Sequence, residues 1–136
     1  MSQPPLLKPD LYQEAGSPAR PDLPALLGGV CDCGYVFFPL QPYGCERCGG
    51  VKLRGKALTG AGRLLAVARV HLHAGKGREA PFTVGAIRLD DGPIVRTLLE
   101  GDPSLMRPGA PVVSTLASVT DAEGDQRLDL RFIPEV

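Results

Sequence analysis

Four cysteines fall within 18 residues of this 136-residue chain, and the chain has no others. They form two close pairs, Cys31-Asp32-Cys33-Gly34 and Cys45-Glu46-Arg47-Cys48-Gly49, with eleven residues between the pairs and a glycine directly after each. A segment this short cannot bury enough apolar surface to fold alone, so something must tie the thiols together. Four thiolates complete a tetrahedron around zinc, and the glycines let backbone amides turn toward sulfur without a steric penalty. The pattern therefore predicts one structural Zn2+ held by Cys31, Cys33, Cys45 and Cys48. No position is left for a catalytic water. The competing reading of the same thiols is a redox pair or an iron centre. The spacer of the first pair is Asp32 alone, shorter than the usual two residues, which makes a tighter chelate.

Lys plus Arg and Asp plus Glu each number 15, so the formal charge is zero. A neutral chain gains little from counterion release, which argues against nucleic acid as a partner. The first thirty residues lack a basic start followed by an apolar run, and no stretch approaches the ~20 apolar residues of a spanning helix. The expectation is no membrane and a cytoplasmic location. A reducing compartment again favours metal ligation over disulfides.

Three segments follow. Residues 1–27 carry six of the fourteen prolines and read as an N-terminal arm, helical or extended, with brief helical turns expected over 9–15 and 22–27. Residues 28–53 read as a rubredoxin-like zinc ribbon with a strand over 35–39. Residues 54–136 read as strands at about 66–73, 82–89, 94–99, 111–119 and 126–133. Asp91-Gly92 supplies a tight hairpin between the second and third of these. Asp102-Pro103 starts one short helical turn that Pro108-Gly109 ends. Five short strands with a helical turn between the third and fourth suit a five-stranded OB-fold barrel, with a small sandwich as the alternative. The fold class is mainly β.

Few other residues suggest chemistry. His71 and His73 share a strand face but lack a third ligand, and ordinary strand positions explain them. Gly60-Ala61-Gly62 and Gly75-Lys76-Gly77 do not complete a phosphate-binding fingerprint and read as turns. Lys52, Arg54 and Lys56 alternate onto one face beside the ribbon, as a solvated stripe or as a contact for a phosphate or an acidic partner. Tyr35, Phe37, Phe38 and Tyr43 crowd a ribbon too thin to bury them all, so some should face a partner. No nucleophile with an adjacent base stands out, and no catalytic residue is nominated.

Taken together, Leu23 to Gly29 leading into the cysteines, Phe37-Phe38-Pro39, Cys45 to Gly49, Gly60-Ala61-Gly62, Leu89 to Gly92, Gly101-Asp102-Pro103, Arg107-Pro108-Gly109 and Arg131-Phe132 resemble the DUF35 family. Its members combine a zinc ribbon with an OB fold and are associated with acyl-CoA enzymes. The stretch from Cys33 to Cys45 is most similar to small subunits of the 2-benzoylsuccinyl-CoA thiolase type, of anaerobic toluene breakdown. The resemblance implies a non-catalytic auxiliary subunit in a hetero-oligomer with a thiolase-like catalytic subunit. That partner would bind most of the CoA thioester and cleave a carbon-carbon bond by acyl transfer to CoA. Other members accompany hydratases or aldolases, and a nucleic-acid-binding ribbon and barrel is the more distant alternative. Lys52, Arg54 and Lys56 would then lie near the CoA phosphates or the partner.

Overall fold

The computed structural model describes residues 3–71 and 81–135. Nine strands are present among them: β1 Tyr12–Gln13, β2 Ala25–Cys31, β3 Val36–Phe37, β4 Leu53–Leu58, β5 Ala61–Val70, β6 Phe82–Leu89, β7 Ile94–Leu99, β8 Pro111–Thr120 and β9 Gln126–Pro134. A single 3₁₀ turn, Pro103–Leu105, joins β7 to β8. None of the described helical segments is long and apolar enough to cross a membrane.

The last five strands close on themselves in the order β5-β6-β7-β9-β8, the OB-fold barrel expected from the strand spacing. Closure leaves β7 and β9 meeting in parallel at one residue pair, Leu99 and Phe132. The β6–β7 hairpin turns at Gly92, whose φ of 116° is the left-handed angle the Asp-Gly step was expected to provide. Asp102 caps the 3₁₀ turn by accepting from the Ser104 amide at 2.9 Å, which holds its carboxyl below the usual range. Aliphatic residues fill the barrel, with Leu64, Ile87, Leu89, Val95, Leu99, Val112 and Leu130 around a fully buried Phe132.

Ahead of the barrel lies a four-stranded antiparallel sheet in which β2 pairs β4 on one side and β1 and β3 on the other. Its lower end shares the barrel core through Tyr12, Leu26 and Leu58.

Two expectations need correction. Among the described residues the arm forms no helix: single turns closed by Leu11 N–H to Lys8 O and Leu23 N–H to Arg20 O give way to strands, because Tyr12–Gln13 pairs with Ala25–Leu26 and the run from Ala25 to Leu27 is the start of β2. The local proline signal is overridden by the chance to bury Ala25 and Leu26 completely or nearly so. Ala61 and Gly62 are not a turn but the first residues of β5. Glycine is needed there for close approach, since a Cβ on Gly62 would meet the Arg88 carbonyl at 2.3 Å and one on Gly60 would meet Ser114 Oγ at 2.0 Å. The reading of Gly75-Lys76-Gly77 lies outside the described residues.

The arm also adds to the barrel. Leu6 bridges Leu128 in parallel, the Leu7 amide donating to the Leu128 carbonyl at 2.8 Å and the Leu128 amide to the Pro5 carbonyl at 2.9 Å. Tyr12 is 5% exposed, and its hydroxyl donates to Leu128 O or Asp129 Oδ1, each at 3.1 Å, while accepting from the Lys8 amide. Burial, helped by the Asp129 carboxylate, raises its pKa.

Candidate metal centre

Strand β2 ends at Cys31, and the chain turns back through Cys33 and Gly34 into β3. The turn is closed by the Gly34 amide donating to Cys31 O at 2.8 Å, with Gly34 at φ 96°. A second turn carries Cys45 to Cys48, closed by Gly49 N–H to Cys45 O and Cys45 N–H to Gly50 O, both 2.8 Å. The two turns face each other, and all four Sγ atoms lie within 4.8 Å of one another.

The spacing fits zinc. A Zn–S bond of about 2.3 Å in a regular tetrahedron places sulfurs about 3.8 Å apart. Cys31 Sγ and Cys48 Sγ are 3.6 Å apart, and Cys33 Sγ and Cys45 Sγ 3.7 Å. These contacts pair each cysteine of one turn with one of the other, and they are far longer than the ~2.05 Å of a disulfide. The one-residue spacer therefore brings Cys33 into the cluster without help from a histidine. His71 is exposed at the end of the described part of the barrel, and His73 lies outside the described residues.

Backbone amides supply the second requirement of a thiolate site. Arg47 and Cys48 N–H both donate to Cys45 Sγ at 3.4 Å, and Gly50 N–H to Cys48 Sγ at 3.3 Å. Burial works against a Cys45 thiolate, but these two amides and the thiols of Cys33 and Cys48 outweigh it and bring its pKa down to about 7. At Cys31 the balance is reversed. The Cys33 amide favours its thiolate, yet burial and the neighbouring thiols of Cys48, Cys33 and Cys45 together push it up to about 12. Without metal, negative charge thus collects on Cys45 while Cys31 keeps its proton. A divalent ion would replace that proton and cross-link the turns.

Residues 55–117 match the family model for the ChsH2 C-terminal OB-fold domain. A chain of the solved structure described as the Ltp2-ChsH2(DUF35) aldolase superposes with a TM-score of 0.66 and 25% identity, over 82% of this chain and 86% of that one. The chain thus resembles DUF35 proteins both in its barrel and in the wider fold. A comparison with curated proteins finds no match. The relative carries the family term in its description, and the likeness spans the arm-side sheet as well as the barrel, as 82% coverage requires.

The residues singled out beside the cysteines separate by exposure. Tyr43 is 87% exposed, and Val51 and Leu40 are exposed as well. Tyr35 is half-buried, stacked at 6.2 Å on Phe37, which is itself buried. Phe38 packs partly against the barrel core. Phe37 cannot reach a partner directly, because its ring covers Gly29, where a Cβ would meet the ring at 2.5 Å. Lys52, Arg54 and Lys56 are exposed and share one face of β4 and its leading residue, with Arg54 paired to Asp32 at 3.1 Å.

A buried lock between sheet and barrel escaped sequence reasoning. Ser17 Oγ and Thr59 Oγ1 are 2.9 Å apart, and the Thr59 amide donates to Asp91 Oδ2 at 2.8 Å. Ser114 Oγ donates to Pro24 O at 2.7 Å. Isolated Ser, Thr and Asp residues far apart in sequence give no local signal. The proline-rich context of Tyr12 could have flagged it as an anchor, since it is the arm's only aromatic.

Proposed function

We propose that this chain is a zinc-stabilised, non-catalytic subunit of a heteromeric acyl-CoA enzyme that makes or breaks a carbon-carbon bond. The observation that carries the reading is the combination of a closed four-thiolate site with a barrel like that of a protein described as one part of an Ltp2-ChsH2 aldolase. The metal stiffens a platform and leaves no coordination position for chemistry. The catalytic residues and most of the CoA thioester site then belong to a partner subunit. Exposed Tyr43 and half-buried Tyr35, the latter stacked on Phe37, would supply an aromatic contact to that partner, with Phe38 packed toward the barrel core. Lys52, Arg54 and Lys56 would meet the partner or the CoA phosphates.

The thiolase type of anaerobic toluene breakdown is the reading favoured by the Cys33 to Cys45 stretch. The aldolase reading is favoured by the solved relative. Both make or break a carbon-carbon bond of an acyl-CoA, the thiolase by acyl transfer to CoA and the aldolase by aldol cleavage, and the partner's own nucleophile would separate them. The test is to assay this chain alone, the catalytic subunit alone, and the two co-expressed, with benzoylsuccinyl-CoA and with a β-hydroxyacyl-CoA. The expected result is no activity for this chain alone and activity for the partner only in complex. Full activity and stability of the partner without this chain would overturn the reading.

A further inference from the structure

Strand β4 has one free edge. In its pairing with β2, the β2 residues Leu27 and Cys31 turn their backbone groups away from β4, toward Leu11, Leu40 and Tyr35. Backbone groups alternate sides along a strand, so Gly28 and Val30 face β4, and their partners Lys56 and Arg54 face β2. The amide and carbonyl of Gly55 and of Ala57, and the carbonyl of Leu53, point outward. Among the described residues, β4 pairs with β2 alone and no hydrogen bond engages these five groups. The strand is six residues long, and Arg54, Gly55 and Lys56 are exposed.

We infer that this edge accepts an extended segment of another protein, added as a strand, whose side chains alternate acidic and apolar. The two faces of β4 dictate that chemistry. One face carries Lys52, Arg54 and Lys56, of which, among the described residues, only Arg54 has an ion-pair partner, the exposed Asp32. The other carries half-buried Leu53 and Ala57, beside Leu40, which is 47% exposed and lies 3.7 Å from where a Gly55 Cβ would stand. An incoming strand would place carboxylates over the first face and small apolar side chains over the second, with backbone bonds supplying affinity. A second copy of this chain is the wrong occupant. Pairing antiparallel about Gly55 would set each Arg54 against the other copy's Lys56, and like charges directly opposed across strands are destabilising. The lysines thus guard the edge against self-association while leaving it open to an acidic strand.

In the reading above, the strand comes from the catalytic subunit, but the edge can be tested without it. The probes are two blocked eight-residue peptides, one alternating glutamate with valine and one alternating lysine with valine. They are titrated into the zinc-loaded full chain while backbone amides are followed by NMR and hydrogen exchange. The acidic peptide should shift and protect the Gly55 and Ala57 amides, and the basic one should not. Ala57→Pro removes one outward donor while leaving every bond to β2, a substitution edge strands tolerate, and should weaken the acidic peptide at least about tenfold. The double change Lys52→Glu and Lys56→Glu should reverse the preference between peptides, a result misfolding cannot imitate. Absence of protection with either peptide, or equal binding of both, would overturn the inference. So would concentration-dependent protection of the same amides without peptide, which would make a second copy the occupant. None of these outcomes bears on whether a catalytic subunit requires this chain, so the two proposals fail separately.

Discussion

The barrel and the cysteine turns solve the same problem with different forces. Between residues 31 and 50 only Cys31, Phe37 and Cys45 are buried, so two of the three interior positions are sulfur ligands. The barrel instead gathers seven apolar residues around Phe132. Burial of such side chains contributes about 1.5–3 kcal/mol each, a driving force the barrel has and the turns lack. The sheet between them is shared: at Leu26 and Leu58 it belongs to the apolar core, and at Cys31 and Leu53 it ends beside the four-cysteine cluster. Stability is therefore expected to change character along a single pair of strands.

The strongest way to break the comparison is Cys45→Ser. Structural zinc contributes apparent binding energies on the order of 10–16 kcal/mol, so its loss should unfold residues 31–50 while the barrel and the Leu26 end of β2 persist. Metal analysis should fall from one zinc per chain to none, and hydrogen exchange should show fast amides only at the cysteine end. Loss of barrel protection as well would mean the two regions are one cooperative unit. Phe132→Ala should do the converse, lowering global stability by about 3–5 kcal/mol in chemical denaturation with zinc still bound at the start of the transition.

Acidity sharpens the contrast, because only the metal end depends on thiol protons. Zinc needs thiolates, Cys31 holds its proton up to about pH 12, and Cys45 titrates near 7. Binding should therefore release a full proton from Cys31 at any pH from 6 to 8. Cys45 should add a further fraction of a proton that shrinks as the pH rises through about 7. Affinity must rise with pH, and should be at least about 100-fold weaker at pH 6 than at pH 8 from Cys31 alone. Titration calorimetry in buffers of different ionisation enthalpy counts the protons. The smallest expected effect is that of Tyr12→Phe, which leaves the Lys8 amide without its acceptor and should cost about 1 kcal/mol. That loss should appear as faster exchange at Leu7 and Leu128, with the zinc content unchanged.

Much of this was legible in the residues. Alternation and turn chemistry located β6 to β9 to within a residue, and Asp102 and Gly92 played the parts their types suggest. The four cysteines came together as their spacing required. What stayed hidden was long-range. Pairing of Tyr12–Gln13 with β2 depends on a contact across a dozen residues of proline-rich chain, so local rules favoured helical turns instead. The glycines at 60 and 62 read as turns because nothing in the sequence shows which strands will crowd them. The aromatic cluster was readable as a group, but the burial of Phe37 against the exposure of Tyr43 depends on Gly29 and the path of β3.

The prolines of the arm do more than stiffen it. Its bridge to β9 uses the carbonyl of Pro5 and the amide of Leu7. Sliding the arm by two residues in either direction would bring Pro5 or Pro9 to the donor position, and neither has a proton to give. Residues that look like signs of looseness thus act as a ratchet, admitting one alignment of the first strand-like segment and rejecting its nearest neighbours on both sides.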